Sequence, residues 1–102
     1  MDKTSDVLLV KRFYVYTIFS LKDKNFYTGY TTDLKRRLKE HAMGLSKATK
    51  FRRPFLLLHY EYFINENDAK ARELFLKSGF GRNQLKQALK RTLTIFNPSS
   101  TI

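Results

Sequence analysis

The chain has 102 residues, enough for one domain with a modest core and too few for two, and its 42% hydrophobic and 15% aromatic content excludes disorder over most of its length. It has no cysteine, which excludes disulfide scaffolds, thiol catalysis and cysteine-ligated zinc, and its two histidines are too few for most zinc sites, so the expected metal is a hard cation on oxygen ligands. Twenty Lys and Arg against nine Asp and Glu give a net charge of +11 at pH 7, which favours a polyanionic partner.

The start of the chain predicts a lead-in followed by a β-hairpin. Residues 1–11 mix charges with one short apolar run, Val7–Val10, which could add to a sheet edge. Arg12–Ser20 and Phe26–Thr31 are rich in aromatic and β-branched residues, which predicts two strands. The segment Asp23–Asn25 between them has the composition of a turn. The two strands are therefore expected to pair.

A helix is predicted over residues 33–43. Side-chain oxygens just before it can cap its N-terminus, apolar residues recur at helical spacing from Leu34, and Gly44 suits its end. Residues 44–53 are polar and basic without periodicity, and Pro54 disfavours helix before it, so a mobile basic loop is predicted there. Such a loop suits contact with phosphate.

The second half of the chain predicts one strand and two helices. Residues 55–64 are almost continuously apolar, which predicts a central strand buried on both faces and paired with the hairpin. Asn65 is a good cap for a helix over 66–77. A third helix is expected over 82–93, which completes a single domain from residue 12, and a tail over 94–102.

Two glycines stand between the last two predicted helices. Gly79 and Gly81 could hold an anion at a helix N-terminus, but two glycines are a weak signal. A tight turn is the more common use of such a pair, and we expect a turn here.

Basic residues concentrate in the middle of the chain. Eight lie between Lys35 and Arg53, against one acid, Glu40. This concentration favours contact with a nucleic acid, although lysines that only keep a small protein soluble would give the same charge. The candidates for nucleic-acid contact are Lys35, Lys39, Lys47, Lys50, Arg52 and Arg53.

Two aromatic triplets, Tyr14–Tyr16 and Tyr27–Gly29, lie in the two predicted strands. Pairing of these strands would bring two tyrosine hydroxyls together, a few residues before the helix that carries Arg37 and His41. At helical spacing these two residues share one flank of the apolar stripe, whereas Arg36 points to solvent. The cluster suggests chemistry on a phosphate. Its alternative is structural, with the tyrosines in the core and the arginine lying across it.

The second predicted helix carries one acid at a notable position. Ala69, Glu73 and Leu76 recur at helical spacing, which would place a carboxylate among apolar residues. A buried carboxylate needs a metal ion or an arginine as its partner. Leu74 and Phe75 make the opposite side apolar as well, so periodicity does not decide which face is buried.

Several other classes of protein are poorly supported. The Asp-x-Asp and His-Glu-x-x-His spacings are absent, which argues against two-metal nuclease and zinc protease chemistry. No apolar run of membrane-spanning length occurs, and the apolar run near the start is too short for a signal-peptide core. We therefore expect a cytoplasmic location.

The motifs together resemble the GIY-YIG nuclease domain, and in particular its small stand-alone bacterial members. These are similar to the nuclease module at the N-terminus of the excision-repair endonuclease. The similarity covers nearly the whole chain, and its spacing is more specific than any one motif. It rests on Tyr14-Val15-Tyr16, Tyr27-Thr28-Gly29, Thr32-Asp33-Leu34-x-x-Arg37-Leu38-x-x-His41, Arg53-Pro54, Tyr60-Glu61-Tyr62-Phe63, Ala69-x-x-Arg72-Glu73 and Lys77-Ser78-Gly79-x-Gly81-Arg82.

This resemblance implies an α+β fold in which a small three-stranded antiparallel sheet is flanked by about three helices. It also implies a DNA endonuclease that hydrolyses phosphodiester bonds with one divalent cation, Mg²⁺ or Mn²⁺, and DNA repair or recombination is the process expected for such an enzyme. No DNA-targeting domain is evident beside it, so substrate choice is expected to come from this domain or from an accessory protein partner.

The resemblance assigns a role to each member of the cluster. Tyr27 corresponds to the general base, and because a free phenol titrates near pKa ~10, nearby positive charge or the metal must favour its phenolate. Tyr16 would orient this base or the attacking water. Arg37 would stabilise charge on the phosphoryl oxygens, and His41 would position the phosphate or help to move a proton. Glu73 would hold the metal ion.

Some positions depart from the family pattern. Tyr14 and Thr28 replace the first glycine of one triplet and the isoleucine of the other, and neither side chain is needed for the chemistry. Gly29 is expected to give close backbone packing. Tyr30 stands where repair enzymes often carry a lysine, and Asn83 is a candidate for the family's late asparagine, so both are uncertain site residues. Two other functions remain open, a catalytically inactive basic nucleic-acid-binding domain and a small toxin-type ribonuclease.

Overall fold

The computed structural model describes residues 8–96 as a three-stranded antiparallel sheet with four α-helices, which confirms the predicted α+β class. Within these residues no helix is long and apolar enough to cross a bilayer. The elements in chain order are β1 (Phe13–Ser20), β2 (Phe26–Thr31), α1 (Leu34–Ala42), a short 3₁₀ helix (Lys50–Arg52), β3 (Phe55–Phe63), α2 (Glu66–Lys77), α3 (Gly79–Ala88) and α4 (Lys90–Phe96).

The two ends of the chain differ from the predictions in detail. Leu8–Val10 lie exposed and outside the sheet, so the described part of the apolar run adds no strand. Val7 and residues 97–102 lie outside the described residues. The predicted third helix over 82–93 is in fact two helices, α3 and α4, and residues 94–96 belong to α4 rather than to a tail.

The predicted hairpin forms between β1 and β2. Its turn is closed by hydrogen bonds from the Ser20 amide to the Asn25 carbonyl and from the Lys24 amide to the Ser20 carbonyl, at 2.9 and 2.8 Å. Lys24 has a φ of 63°, a left-handed conformation common in turns. The register places Tyr16 opposite Gly29 and Ile18 opposite Tyr27. The two triplets are therefore neighbours across the ladder.

The prediction that residues 55–64 form the central strand is wrong. The strand order is β2-β1-β3, so β1 is central and β3 is an edge strand. Six consecutive residues of β1, from Val15 to Ser20, are buried, whereas no residue of β3 is. The apolar run of β3 does pair with the hairpin, as expected, but one of its faces is largely open because no helix covers it completely.

Strand alternation divides the sheet into two faces. We call one the α1 face; it carries Tyr14, Tyr16, Ile18, Tyr27, Gly29, Tyr60 and Tyr62. The other is the α2 face, where Val15 packs in the main core with Ala69, Leu76 and Leu85 from α2 and α3. Phe13, Phe26, Tyr30 and Phe63 pack around this core. The sheet is thus a single layer with the helices of the core on one side and α1 on the other.

Helix α1 begins where the sequence predicts. The side chain of Asp33 accepts a hydrogen bond from the Arg36 amide at 3.1 Å and caps the helix. The helix ends before Gly44, whose φ of +76° favours glycine. The following loop was predicted to be mobile, but hydrogen bonds hold it. Ser46 and Thr49 are buried in it, and the Ser20 hydroxyl donates to the Arg52 carbonyl at 2.6 Å.

The two glycines after α2 do not form a separate turn. Both lie in the first turn of α3, whose N-terminus is capped by the Ser78 hydroxyl, which accepts from the Gly81 amide at 3.1 Å. A Cβ on Gly81 would collide with the carbonyl oxygen of Phe75 in α2. Gly81 therefore allows close packing of α2 against α3, and the expectation of a glycine turn is corrected.

Candidate active site

A chain of two short hydrogen bonds runs from the sheet through α1 to the loop that follows it. The Tyr16 hydroxyl lies 2.7 Å from Nε2 of His41, and Nδ1 of His41 lies 2.7 Å from the Thr49 hydroxyl. All three residues are buried. A neutral imidazole has one donor and one acceptor, so the two bonds point in the same direction along the chain. His41 therefore fixes the hydroxyl of Tyr16.

Burial keeps both Tyr16 and His41, the aromatic members of this hydrogen-bond chain, neutral. Loss of water, and then the nearby positive charge of Arg37, lower the pKa of His41 to about 4. Loss of water also raises the pKa of Tyr16 to about 12, with Arg37 acting in the opposite direction and Glu73 adding to the rise. At neutral pH the pair is therefore an uncharged phenol and an uncharged imidazole. His41 is too deeply buried to contact a phosphate directly in this arrangement.

The second tyrosine contacts the same histidine. The ring of Tyr27 meets that of His41 edge-on, with centroids 5.3 Å apart, and the ring of Tyr16 does so at 5.6 Å. Tyr16 lies directly over Gly29, where a Cβ would collide with its hydroxyl. The expected close packing at Gly29 is present. Tyr27 is only half-buried, so of the two phenols it is the more accessible to a substrate.

Arg37 lies on the flank of α1 that faces this cluster. Its side chain is 29% exposed against 58% for Arg36, in agreement with the helical angles. Its guanidinium donates to Glu40 Oε1 at 3.0 Å and to the Ser46 hydroxyl at 3.3 Å. Burial disfavours its charge, but the bond to Glu40 and the neighbouring Tyr16 outweigh it and raise the pKa of Arg37. The guanidinium group of Arg37 is therefore held in place and fully charged.

Glu73 approaches the cluster from α2, on the other side of the sheet. Its carboxylate contributes to the raised pKa of both Tyr16 and Tyr30, which places it within electrostatic range of both phenols. The side chain is 22% exposed, and its Oε2 lies 2.9 Å from the ammonium of Lys77, one helical turn further along. Glu73 is therefore a partly open carboxylate within electrostatic range of Tyr16 and paired with a lysine.

The donor atoms fit one type of divalent cation site. Among residues 8–96, no three His, Asp or Glu side chains converge into a cage for a metal. Mg²⁺ does not need such a cage, because it is often held by one or two carboxylates together with water and substrate phosphate. The partly exposed Glu73 carboxylate, within electrostatic range of Tyr16, can serve as such a ligand, and its pairing with Lys77 shows that it attracts a cation.

The predicted nucleic-acid contacts divide into two groups. Lys35, Lys39, Lys47 and Lys50 are exposed. Arg52 instead pairs with Asp23 at 2.6 Å, and Arg53 donates to the carbonyls of Lys50 and Ala42 at 2.9 and 3.4 Å. Both arginines thus help to hold the loop. The lysines are the more available cations.

The two uncertain residues lie apart from the Tyr16 and His41 cluster. Tyr30 is on the α2 face, where its hydroxyl donates to Glu66 at 2.7 Å and its ring stacks on Phe13. Burial and the bond to Glu66 raise the pKa of Tyr30 to about 12. Asn83 is exposed on α3, in the helical layer that packs on the α2 face.

Sequence reasoning missed three residues that support the cluster. Thr49 orients His41 and Ser46 orients Arg37. In the sequence, both are ordinary polar residues of a basic loop. Their contacts depend on how the loop folds back, and the sequence carries no local signal of that. Lys77 could have been found, because it follows Glu73 at the spacing of a helical ion pair.

Comparisons with known proteins bear on the family of this chain. The family described as the GIY-YIG catalytic domain matches residues 12–86, and proteins of this family are endonucleases. A UPF0213 protein of Streptococcus pyogenes serotype M5 is 41% identical over 78 residues, which cover 76% of this chain and 84% of the relative. A UPF0213 protein of Clostridium perfringens is 40% identical over 77 residues, which cover 74% and 81%.

A solved structure extends the comparison to the fold. The solution NMR structure of a UPF0213 protein from Bacillus halodurans is 35% identical, with a TM-score of 0.52 and coverage of 89% of this chain and 99% of that one. These relatives are small stand-alone proteins of the same family. With the family match spanning most of its length, the chain belongs to the GIY-YIG catalytic domain family.

Proposed function

We propose that this protein is a metal-dependent DNA endonuclease that hydrolyses phosphodiester bonds. The observation that carries the proposal is the convergence of Tyr16 and Tyr27 on His41, beside the charged fork of Arg37. The net charge of +11 supports a polyanionic substrate. A role in repair or recombination, with an accessory partner that helps to select the substrate, is consistent with a catalytic domain of this size.

Tyr27 is the proposed general base. It is half-buried and borders the cluster, whereas Tyr16 is buried and, with a pKa of about 12, keeps its proton at neutral pH. Tyr16 therefore acts as a positioning residue, with its hydroxyl held by His41. The two phenols thus have different surroundings and different roles. Tyr27 can exchange a proton with a bound water, whereas Tyr16 keeps the geometry fixed.

Arg37 is the proposed stabiliser of the transition state. A guanidinium can donate two parallel hydrogen bonds to phosphoryl oxygens, and its charge opposes the negative charge that grows on them. Glu40 and Ser46 already orient this fork, so little reorganisation is needed when substrate binds. Such prior orientation is the usual source of electrostatic catalysis.

Glu73 is the proposed metal ligand. When bound, a divalent cation neutralises charge on the phosphate and on the leaving oxygen. In the hydrolysis, Tyr27 would act as a phenolate and accept a proton from the attacking water, a new phosphorus–oxygen bond forms, and the bond from phosphorus to the leaving sugar oxygen breaks. The leaving oxygen takes up a proton, and the products are one phosphate end and one hydroxyl end.

A nicking assay tests this proposal. Purified protein is incubated with supercoiled and branched DNA and with Mg²⁺ or Mn²⁺, beside Tyr27→Phe and Glu73→Ala. Tyr30→Phe is the matched control, because Tyr30 lies in the same strand with its side chain on the opposite face. We expect strong loss in the first two variants and near-normal activity in the control. Equal activity in the wild type, Tyr27→Phe and Glu73→Ala would overturn the assignment.

The same assay separates the other functions. Salt-sensitive DNA binding without metal-dependent cleavage would indicate a catalytically inactive binding domain. Cleavage of RNA without a divalent cation would indicate a toxin-type ribonuclease. The exposed lysines are compatible with all three functions. The arrangement of Tyr27, Arg37 and Glu73 favours the metal-dependent endonuclease.

A further inference from the structure

The α1 face of the sheet is only half covered. On α1, Arg37 and Glu40 lie on one flank with the catalytic cluster, while Lys35 and Leu38 lie on the other. Beyond that second flank, the face of β3 is open. Leu57, Tyr60 and Tyr62 are 39%, 50% and 52% exposed on it. The apolar run of β3 thus leaves a row of large side chains in contact with solvent.

Two adjoining cavities make this open strip a groove. One of about 670 Å³ is bounded by Leu38, Leu57, Phe51 and Pro54, and one of about 410 Å³ by Leu38, Tyr14 and Tyr60. They share Leu38. We call the strip the β3 groove, with Tyr62, Tyr60, Leu57 and Phe55 as its floor and Leu38 as its wall.

The tyrosine rings at one end of the groove are held in place by their neighbours. Tyr14 packs against Tyr60 and Tyr62 at centroid distances of 6.0 and 6.2 Å, with the rings tilted by 57° and 58°. The guanidinium of Arg12 lies over the Tyr62 ring at 4.8 Å. Tyr14 thus contacts both half-exposed rings from the neighbouring strand, and part of each ring remains available to a ligand.

The charge around the groove is mostly positive. Arg12 and Lys35 lie near its tyrosine end, and Lys22, Lys50 and Arg53 near the other. The acid in the lining is Asp33, which caps α1 and lies 3.7 Å from Arg36. Aromatic faces with a cationic border are the combination that binds single-stranded nucleic acid, because the bases stack and the phosphates meet the cations.

We propose that the β3 groove binds unpaired DNA, with bases stacked on Tyr60 and Tyr62 and phosphates toward Arg12 and Lys35. The choice of DNA over RNA and the position of a cleaved bond rest on the proposed function. The groove adjoins the catalytic cluster, because Tyr60 is paired across the strands with Tyr16 and His41 lines the larger of the two cavities. The substrate is therefore DNA with a single-stranded segment near the cleaved bond, rather than a continuous duplex.

Binding in the absence of metal tests the proposal without relying on cleavage. Fluorescence anisotropy with a labelled oligo(dT) of about ten nucleotides, in excess chelator, compares the wild type with Tyr60→Thr/Tyr62→Thr, in which threonine keeps strand propensity but removes the rings. We expect a loss of affinity of about tenfold or more. Tyr60→Phe/Tyr62→Phe keeps the rings and should bind like the wild type.

Phe80→Ala is the matched control, because Phe80 is equally aromatic, 73% exposed and located on α3. An equal loss in this control, or no loss in the threonine variant, would overturn the groove. Tighter binding of oligo(U), or of duplex, would also overturn it. The proposal would also be overturned if the wild type were a dimer and the threonine variant a monomer, because the groove would then be an interface between two copies of the chain.

Photo-crosslinking of the wild-type protein covers the case in which the threonine variant does not fold. Oligo(dT) containing 5-iodouracil should crosslink to Tyr60 or Tyr62, as mapped by mass spectrometry, and crosslinks elsewhere alone would count against the groove. The two proposals fail separately. Normal nicking with no groove binding would leave the endonuclease assignment intact, and groove binding with inactive wild type would leave only the groove.

Discussion

Gly29 lies directly across the β1-β2 ladder from Tyr16, and the space left by its missing side chain is filled by the hydroxyl end of the Tyr16 ring. The two residues are therefore one structural unit. Because this ring reaches over β2, its hydroxyl meets His41 of α1 while the phenol stays within the range of Glu73 on α2. The glycine of the second triplet thus determines where the tyrosine of the first triplet can reach.

Gly29→Ala is expected to displace Tyr16. Overpacking of a filled core costs about 1–3 kcal/mol, and the moved hydroxyl would lose its bond to His41. Urea denaturation should show the loss of stability, and the nicking rate should fall. The control is Gly79→Ala, since a Cβ there meets nothing within 4 Å and the residue is helical. That variant should be neutral or slightly more stable, and equal effects would contradict the packing argument.

Thr49→Val is expected to weaken the site while keeping its shape. Valine has nearly the volume of threonine but leaves Nδ1 of buried His41 without its partner, which costs about 1–3 kcal/mol. His41 could then rotate, so kcat for nicking should fall with little change in KM for DNA. Thr49→Ser keeps the hydroxyl and should restore most of the activity. A serine variant as impaired as the valine variant would show that the methyl group, not the hydrogen bond, matters.

Stability is expected to fall with acid in a window set by His41. Its pKa is about 4 in the folded protein against 6.5 for an ordinary histidine, so between these values the unfolded chain binds a proton that the folded one does not. The free energy of unfolding therefore rises with pH across this window and falls as pH drops from about 6.5 to about 4. The full effect is on the order of 3 kcal/mol. Equilibrium unfolding at several pH values should show this slope.

His41→Gln provides the comparison for the pH experiment. Glutamine cannot titrate, so the part of the slope between about 6.5 and 4 should disappear from this variant. The pKa values of three carboxyl groups, those of Asp23, Glu40 and Glu66, are lowered by their hydrogen-bonded partners. Their protonation also destabilises the folded protein, but at a pH below the ordinary carboxyl pKa rather than near neutrality. A variant that keeps the whole slope would show that another group titrates there.

The sequence predicted the parts of the structure that local patterns control. Aromatic and β-branched content and turn composition placed β1 and β2, and helical spacing placed Arg37 on the flank that meets the tyrosines. It misjudged β3, because a run of apolar residues does not reveal the strand order or how much of a face a helix covers. Thr49 was missed for a related reason, since a loop residue becomes a partner of His41 only after the chain folds back.

Arg52 is expected to act in folding rather than in DNA binding. Its guanidinium pairs with Asp23 at 2.6 Å and so joins the loop to the hairpin turn. Arg52→Gln should therefore lower the urea midpoint while the affinity for DNA changes no more than in other single-charge variants. Lys47→Gln, an exposed lysine of the same loop, should show the reverse, a smaller salt dependence of binding and an unchanged midpoint. Titrations at several salt concentrations measure both.

Lys77 is expected to compete with the metal ion for Glu73. Its ammonium lies 2.9 Å from the carboxylate, so a divalent cation must displace it or share the oxygen with it. Lys77→Gln should therefore lower the Mg²⁺ concentration at which nicking is half-maximal, and metal-induced changes in tyrosine fluorescence should follow the same shift. Lys70→Gln removes the comparable pair with Glu66 in the same helix, at 3.6 Å, and should leave the metal requirement unchanged. If both variants shift the requirement equally, the effect is one of net charge and not of the Glu73 pair.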